Sequence, residues 1–324
     1  MHSQGRAAHS PSYSVRAAVL VLILATVFWG CGFTWAKAAG AAINAACRLP
    51  DGAAIGPIWV LAMRFFAGGI VWLIVFPKAR RNWTRQDVVR SVILGSVLSL
   101  GMIVQHLGLD RTSEAVSAFL TSLTILFVPL MMTFVLRRPP RGAIWIGVVL
   151  ATIGVWLMTG AAPTGFGAGE MLGLACAIVY AVDIIILNYL IAPETTSKLT
   201  AGQFLVVGLA TLVTCLFLPA GPWALASTHR LLALPNVGLN VLLLLIFPTL
   251  AAFGLQFRFQ PRIDPSRAAL IYLMEPIFAS LFALAMTGRG LSAIAVAGGA
   301  LIVCANGIVE ALSSKAATVS APVS

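Results

Sequence analysis

The sequence predicts an all-α membrane protein with ten transmembrane helices in two inverted five-helix repeats. Three observations carry that prediction. First, 60% of the 324 residues are hydrophobic and only 10% are charged, with mean hydropathy +0.97, a composition foreign to soluble domains. Second, Lys and Arg gather in alternate connections between apolar runs, as the positive-inside rule requires. Third, the chain resembles itself at a shift of 151 residues.

The apolar runs fall at about 16–41, 56–77, 88–109, 114–136, 142–160, 169–191, 200–219, 234–257, 266–287 and 291–312. Each approaches or exceeds the roughly 20 residues that cross a hydrocarbon core as a helix. Most connections are short and rich in Gly, Pro or charge; the longest are 42–55 and 220–233. Arg6 and Arg16 before the first run resemble the start of a signal peptide. That run, however, continues through Trp29 to Ala42 without a short apolar core and cleavage site. It also has a counterpart later in the chain, so it reads as a retained helix. The expected organisation is a tail at 1–15, a first repeat at 16–160, a second at 161–312 and a tail at 313–324, both tails small and polar.

An inside N-terminus places Arg6, Arg16, Lys78, Arg80, Arg81, Arg85, Arg90, Arg137, Arg138, Arg141, Lys198, Arg258, Arg262 and Lys315 on the cytoplasmic side. Only Arg48, Arg111, Arg230 and Arg289 fall outside, fourteen against four. Both termini are therefore expected in the cytoplasm, with the protein in the inner (plasma) membrane. The net charge of +11 comes from these connections and not from a basic face, which argues against nucleic-acid binding. Cys31, Cys47, Cys176, Cys215 and Cys304 form no CxxC pair and read as small apolar packers.

At the shift of 151, Trp29 falls on Tyr180, Lys37 on Asn188, Gln105 on Gln256, Arg111 on Arg262, Ala118 on Ala269 and Gly147 on Gly298. Beyond Ala118 the first half is read as holding one extra turn before Pro129, taken as the partner of Pro276. A unit with five spans, an odd number, must be followed by an upside-down copy. Inverted repeats of this kind are an architecture of secondary transporters, with the substrate near the midplane.

The run PSRAALIYLMEPIFASLFAL, from Pro265 to Leu284, carries Arg267, Tyr272 and the pair Glu275-Pro276. Pro276 deletes a backbone N–H and frees a carbonyl one turn back, so Glu275 sits at a weakened helix segment. An ionisable group in such a run costs several kcal/mol at a bilayer centre and marks a site by default; the alternative is an acid that only ties helices together. Asp183 lies deep in the sixth run and is the second proton-carrying candidate, against a static pair with Lys37 or Arg64. Asn188 is expected to point away from it. Lys37 either snorkels to headgroups or meets a carboxylate substrate. Arg64 is read as pairing with an acid on another helix or staying near the outer mouth.

Gln105 and Gln256 occupy equivalent places and suit either a solute or a contact between helices. Trp29, Trp35, Tyr180 and Tyr272 either line a cavity or serve as packing and interface anchors. His106 is placed near the outer interface. Gly68-Gly69, Gly147 with Gly154, and Gly298-Gly299 read as close-packing faces.

In order and spacing, several stretches resemble the ten-helix EamA-type branch of the drug/metabolite transporter superfamily. They are VFWGCGFTWAKAA around 28–39, AMRFFAGGIVWL from Ala62, GLDRTSEAVSAFLTSLTILFVPLM from Gly108, GEMLGLACAIVYAV from Gly169 and SRAALIYLMEPIFASL from Ser266. The last is the most specific. The resemblance covers about 17–312 and implies an inner-membrane carrier, commonly an exporter of amino acids or other small metabolites. Asp183 departs from it, standing where a neutral or weakly polar residue is expected.

The resulting expectation is a secondary transporter that exports a small metabolite by alternating access. It is proton-coupled through Glu275 and Asp183, with Arg267 and Tyr272 supporting the site. Its expected partners are a small-molecule solute, H+ and membrane lipid, as a monomer or a homodimer. A uniporter or importer is the rival within transport. A membrane-embedded enzyme is disfavoured because the connections are short and poor in His, Asp and Glu, and a non-transporting receptor would more naturally carry a soluble domain. No metal-ligand spacing and no phosphate-cradling GxxxxGK[ST] loop occurs in the sequence, so no cofactor is expected.

Overall fold

The computed structural model describes residues 15–109, 111, 114–160, 167–287 and 292–319; residues 1–14, 320–324 and Arg289 lie outside it. Ten of its helices are long and apolar enough to span a membrane. Spans one to five are Val15–Ala46, Ile55–Val75, Arg85–Gly108, Ser117–Phe134 and Gly142–Thr159. Spans six to ten are Ala168–Leu190, Thr196–Phe217, Pro235–Arg262, Pro265–Met286 and Ala293–Leu312. No strand occurs among the described residues.

Where the structure departs from the sequence reading, the cause is local. The first helix runs on to Ala46 through AAGAAINAA, where alanine favours continuation. The last helix continues to Val319, into the stretch read as a tail. The long connection 220–233 folds into two short helices, Gly221–Ala226 and Thr228–Ala233.

Spans four and nine are each broken. Span four divides into Glu114–Ser122 and Thr124–Phe134, span nine into Pro265–Tyr272 and Glu275–Thr287. At each break the backbone switches to three-residue bonds. Leu123 N donates to Leu120 O (3.1 Å) and Leu126 N to Leu123 O (2.8 Å); Met274 N donates to Ile271 O (3.0 Å) and Ile277 N to Met274 O (3.1 Å). Leu123 and Met274 are 151 residues apart. The breaks themselves are thus in register, which corrects the pairing of Pro129 with Pro276: Pro129 lies inside the second segment of span four. Thr124, not a residue near Pro129, stands where the second repeat has Glu275.

Span eight carries a third irregularity, a π-helical stretch at Leu245–Phe253 with Pro248 inside it. A proline cannot donate to the ladder, and the widened turn absorbs the defect.

Packing follows the pseudo-symmetry. Spans two and seven lie against each other along their length, as do five and ten; span one packs on eight and nine, span six on three and four. Lipid tails give no hydrophobic force between helices, so close backbone approach matters. At Gly154 a Cβ would come within 2.7 Å of Gly298 O, so spans five and ten pack through the small residues read as a packing face.

At one end of the bundle, Lys198 Nζ donates to Asn82 O (2.6 Å) and to Asp87 Oδ2 (3.0 Å), joining the second and sixth connections. Arg138, in the fourth, lies over the Tyr189 ring at 5.8 Å. The three connections that carry much of the basic excess therefore share one end.

A candidate solute site where the broken helix meets span one

Span one is threaded between the second segment of span nine and the irregular stretch of span eight. It fits because Gly30 faces the break: a Cβ there would come within 2.7 Å of Ala279 N and 3.0 Å of Glu275 O. The next residue toward the N-terminus, Trp29, turns its ring inward. Its Nε1 donates to Pro248 O (3.2 Å), giving a partner to a carbonyl in the disturbed stretch. Its ring meets Phe253 edge-on at 5.2 Å and Tyr272 at 5.3 Å. Phe253 continues into Phe65 (5.4 Å) and Phe204 (6.1 Å), so one side of the region is walled by aromatic rings.

A polar network adjoins the wall. Tyr180 donates its hydroxyl to Gln105 Oε1 (2.9 Å), linking spans six and three. Tyr272 donates to Gln260 Oε1 (2.6 Å), which also accepts from Gln256 Nε2 (2.9 Å). Gln260 in turn donates to Ile184 O (2.8 Å) and Asn188 Oδ1 (2.7 Å), and Asn188 Nδ2 donates to Ile263 O (2.6 Å). Asn188 thus closes the turn after span eight.

The charges adjoin these groups. Tyr180 is within electrostatic range of Arg64, Glu275 and Asp183, and Tyr272 of Asp183. Arg64 is within range of Glu275 and of His106. Among the described residues no ion pair joins Asp183 to Arg64, the static alternative left open by the sequence, nor Arg64 to any other acid. Asp183 is 4% exposed and its Oδ1 has no partner; Arg64 Nε is likewise buried and without one. The ion pairs described in the structure are Lys198–Asp87 and Arg267–Glu310. Arg64 is held instead by the Phe65 ring, 5.0 Å from its guanidinium carbon.

The structure therefore brings Glu275, Asp183, Tyr272, Tyr180, Trp29, Gln105 and Gln256 into one region of the bundle. Two candidates go elsewhere. Arg267 is bound to Glu310 of span ten, so its charge is already compensated on the far face of its helix. Lys37 is exposed on span one. His106, placed near the outer interface by its sequence, donates from Nδ1 to Met102 O (2.7 Å) within reach of Arg64. Gln260 is a contributor that the sequence reading does not include, and Arg64, read there as a structural pair or an outer-mouth residue, joins the region as well. Gln260 was detectable, since it follows Gln256 by four residues and so shares its helix face. Among the described residues no group of His, Cys, Asp and Glu could hold a metal ion.

A ten-span bundle of inverted repeats, with irregular helices turned toward buried polar groups, defines a membrane transporter. The chain belongs to the EamA-like transporter family, whose model matches residues 16–160 and 167–309. An uncharacterized transporter of Archaeoglobus fulgidus is 26% identical over 286 residues, 88% of this chain and 83% of that protein. A solved crystal structure superposes with a TM-score of 0.72 over 93% of this chain and 99% of its own. At 20% identity that likeness speaks for the fold alone.

Proposed function

We propose that this transporter exports a small metabolite across the inner membrane in exchange for protons, by alternating access between the repeats 16–160 and 161–312. The observation that carries the reading is the placement of two carboxyl groups, Glu275 and Asp183, around Tyr180 beside a broken helix. A carboxyl in apolar surroundings exchanges a proton more readily than it tolerates a permanent charge. A solute and a proton that occupy such groups in turn are coupled without ATP. Tyr272 and Tyr180 orient the region through Gln260 and Gln105. The shared end of connections two, four and six supports a cytoplasmic N-terminus under the positive-inside rule, and ten spans then return the C-terminus to the same side.

The test begins with a comparison of small metabolites in the medium of cells with and without the protein. Solutes that accumulate with it are then offered, radiolabelled, to everted membrane vesicles. Energised vesicles should take up the solute, and nigericin, which dissipates the pH gradient, should stop uptake. Uptake that ignores nigericin and survives both Glu275→Gln and Asp183→Asn overturns proton coupling. Accumulation only in right-side-out vesicles makes the protein an importer.

A further inference from the structure

Arg64 sits in the second span, on the helix that packs against span seven. Among the described residues its side chain makes no hydrogen bond and no ion pair, and its Nε is sealed from solvent. Its neighbours are a ring face at 5.0 Å and, beyond ion-pair distance, Glu275 and Tyr180. The Tyr180 hydroxyl is already committed to Gln105. A guanidinium carries five donors and stays charged. Inside a bilayer such a cation costs several kcal/mol unless it is paired. Lys198 and Arg267, by contrast, each hold a carboxylate. Arg64 holds none, and it lies within electrostatic range of Glu275 and Tyr180 in the region already described.

We infer that Arg64 is the anion-binding residue of the central site, and that the transported solute carries a carboxylate which docks on its guanidinium. This rests on the transport reading and narrows it to a class of solute. A planar guanidinium matches a carboxylate through paired hydrogen bonds. One cation with one acid, Glu275, in range favours a single negative charge over a phosphate dianion, which that acid would repel more strongly. The aromatic wall of Trp29, Phe65 and Phe253 would receive an apolar remainder.

The inference is tested on the purified full chain in detergent by differential scanning fluorimetry, with matched pairs of probes: benzoate and benzamide, leucine and leucinamide, succinate and succinamide. At least one carboxylate should raise the melting temperature in a saturable way while its amide does not. Arg64→Gln should weaken the apparent affinity about tenfold or more, the size expected for losing a charged hydrogen-bonded pair, and Arg64→Lys should restore part of it. Arg80→Gln, in an exposed connection, serves as the charge control. If no carboxylate stabilises the wild-type chain, if amides do so equally, or if Arg64→Gln binds as tightly, the inference fails. The wild-type comparison holds even if a variant does not fold. The two readings separate in proteoliposomes: carboxylate binding through Arg64 without flux sinks transport and spares the site, whereas flux indifferent to Arg64→Gln sinks the site and spares transport.

Discussion

The two broken helices, one in each repeat, are equal in geometry and unequal in chemistry. Both breaks lie at the same place under the shift of 151, at Leu123 and Met274. After the second comes Glu275; after the first comes Thr124, whose hydroxyl is turned back onto Thr121 O (2.7 Å) and Ala177 O (3.1 Å). The same inequality recurs at span six. Asp183 falls on Gly32 and Tyr272 on Thr121. The scaffold is doubled, but both carboxyl groups of the site belong to the second copy. Under the proton coupling proposed above, the doubled frame supplies access to either side, and the second copy alone supplies the proton-carrying groups.

Replacing the acid of the second break should produce the largest effect. Coupling between two sites typically amounts to about 1–3 kcal/mol, or 5- to 150-fold in affinity. In Glu275→Gln that dependence of solute binding on pH should vanish, measured as solute affinity across a pH series in proteoliposomes. Asp183→Asn should reduce the same dependence by about tenfold or less within that range, since Glu275 remains. Equal loss in the two variants would mean that the carboxyl groups act as one unit.

Gly30→Ala addresses the frame. The new methyl meets Ala279 N at 2.7 Å and Phe278 Cβ at 2.9 Å, and overpacking of this kind costs about 1–3 kcal/mol. A lowered melting temperature in detergent is the expected reading, with pH dependence of the remaining transport unchanged. The smallest effect belongs to Thr124→Val. It should cost about 1 kcal/mol of stability for the lost hydrogen bonds and leave the response to a pH gradient within about twofold. If Thr124→Val abolishes that response, the two breaks are chemically equivalent and the comparison collapses.

The ten spans and their pairing were legible in the sequence because hydropathy and charge act over whole segments, and membrane helices must satisfy every backbone group internally. Glu275 beside Pro276 was legible for the same reason: an acid and a proline in a lipid-facing composition each have a cost that shows. The break at Leu123 was not. No proline marks it, and Pro129 drew attention to the wrong turn. Contacts between distant helices were hidden too. Nothing local to Arg267 announces Glu310, and nothing local to Arg64 shows that Glu275 comes within electrostatic range without forming an ion pair. Partner choice among buried charges is decided by tertiary distance, which a one-dimensional pattern does not carry.

The contact between Trp29 Nε1 and Pro248 O sets a rule for motion. An indole has a single hydrogen to give, and the carbonyl it serves lies in a π-helical stretch whose ladder is already disturbed. Sliding the first span along the eighth would break this bond and leave two buried polar groups unpaired, at a cost. In the alternating access proposed above, this contact favours those two spans moving as one piece, with the opening along another seam.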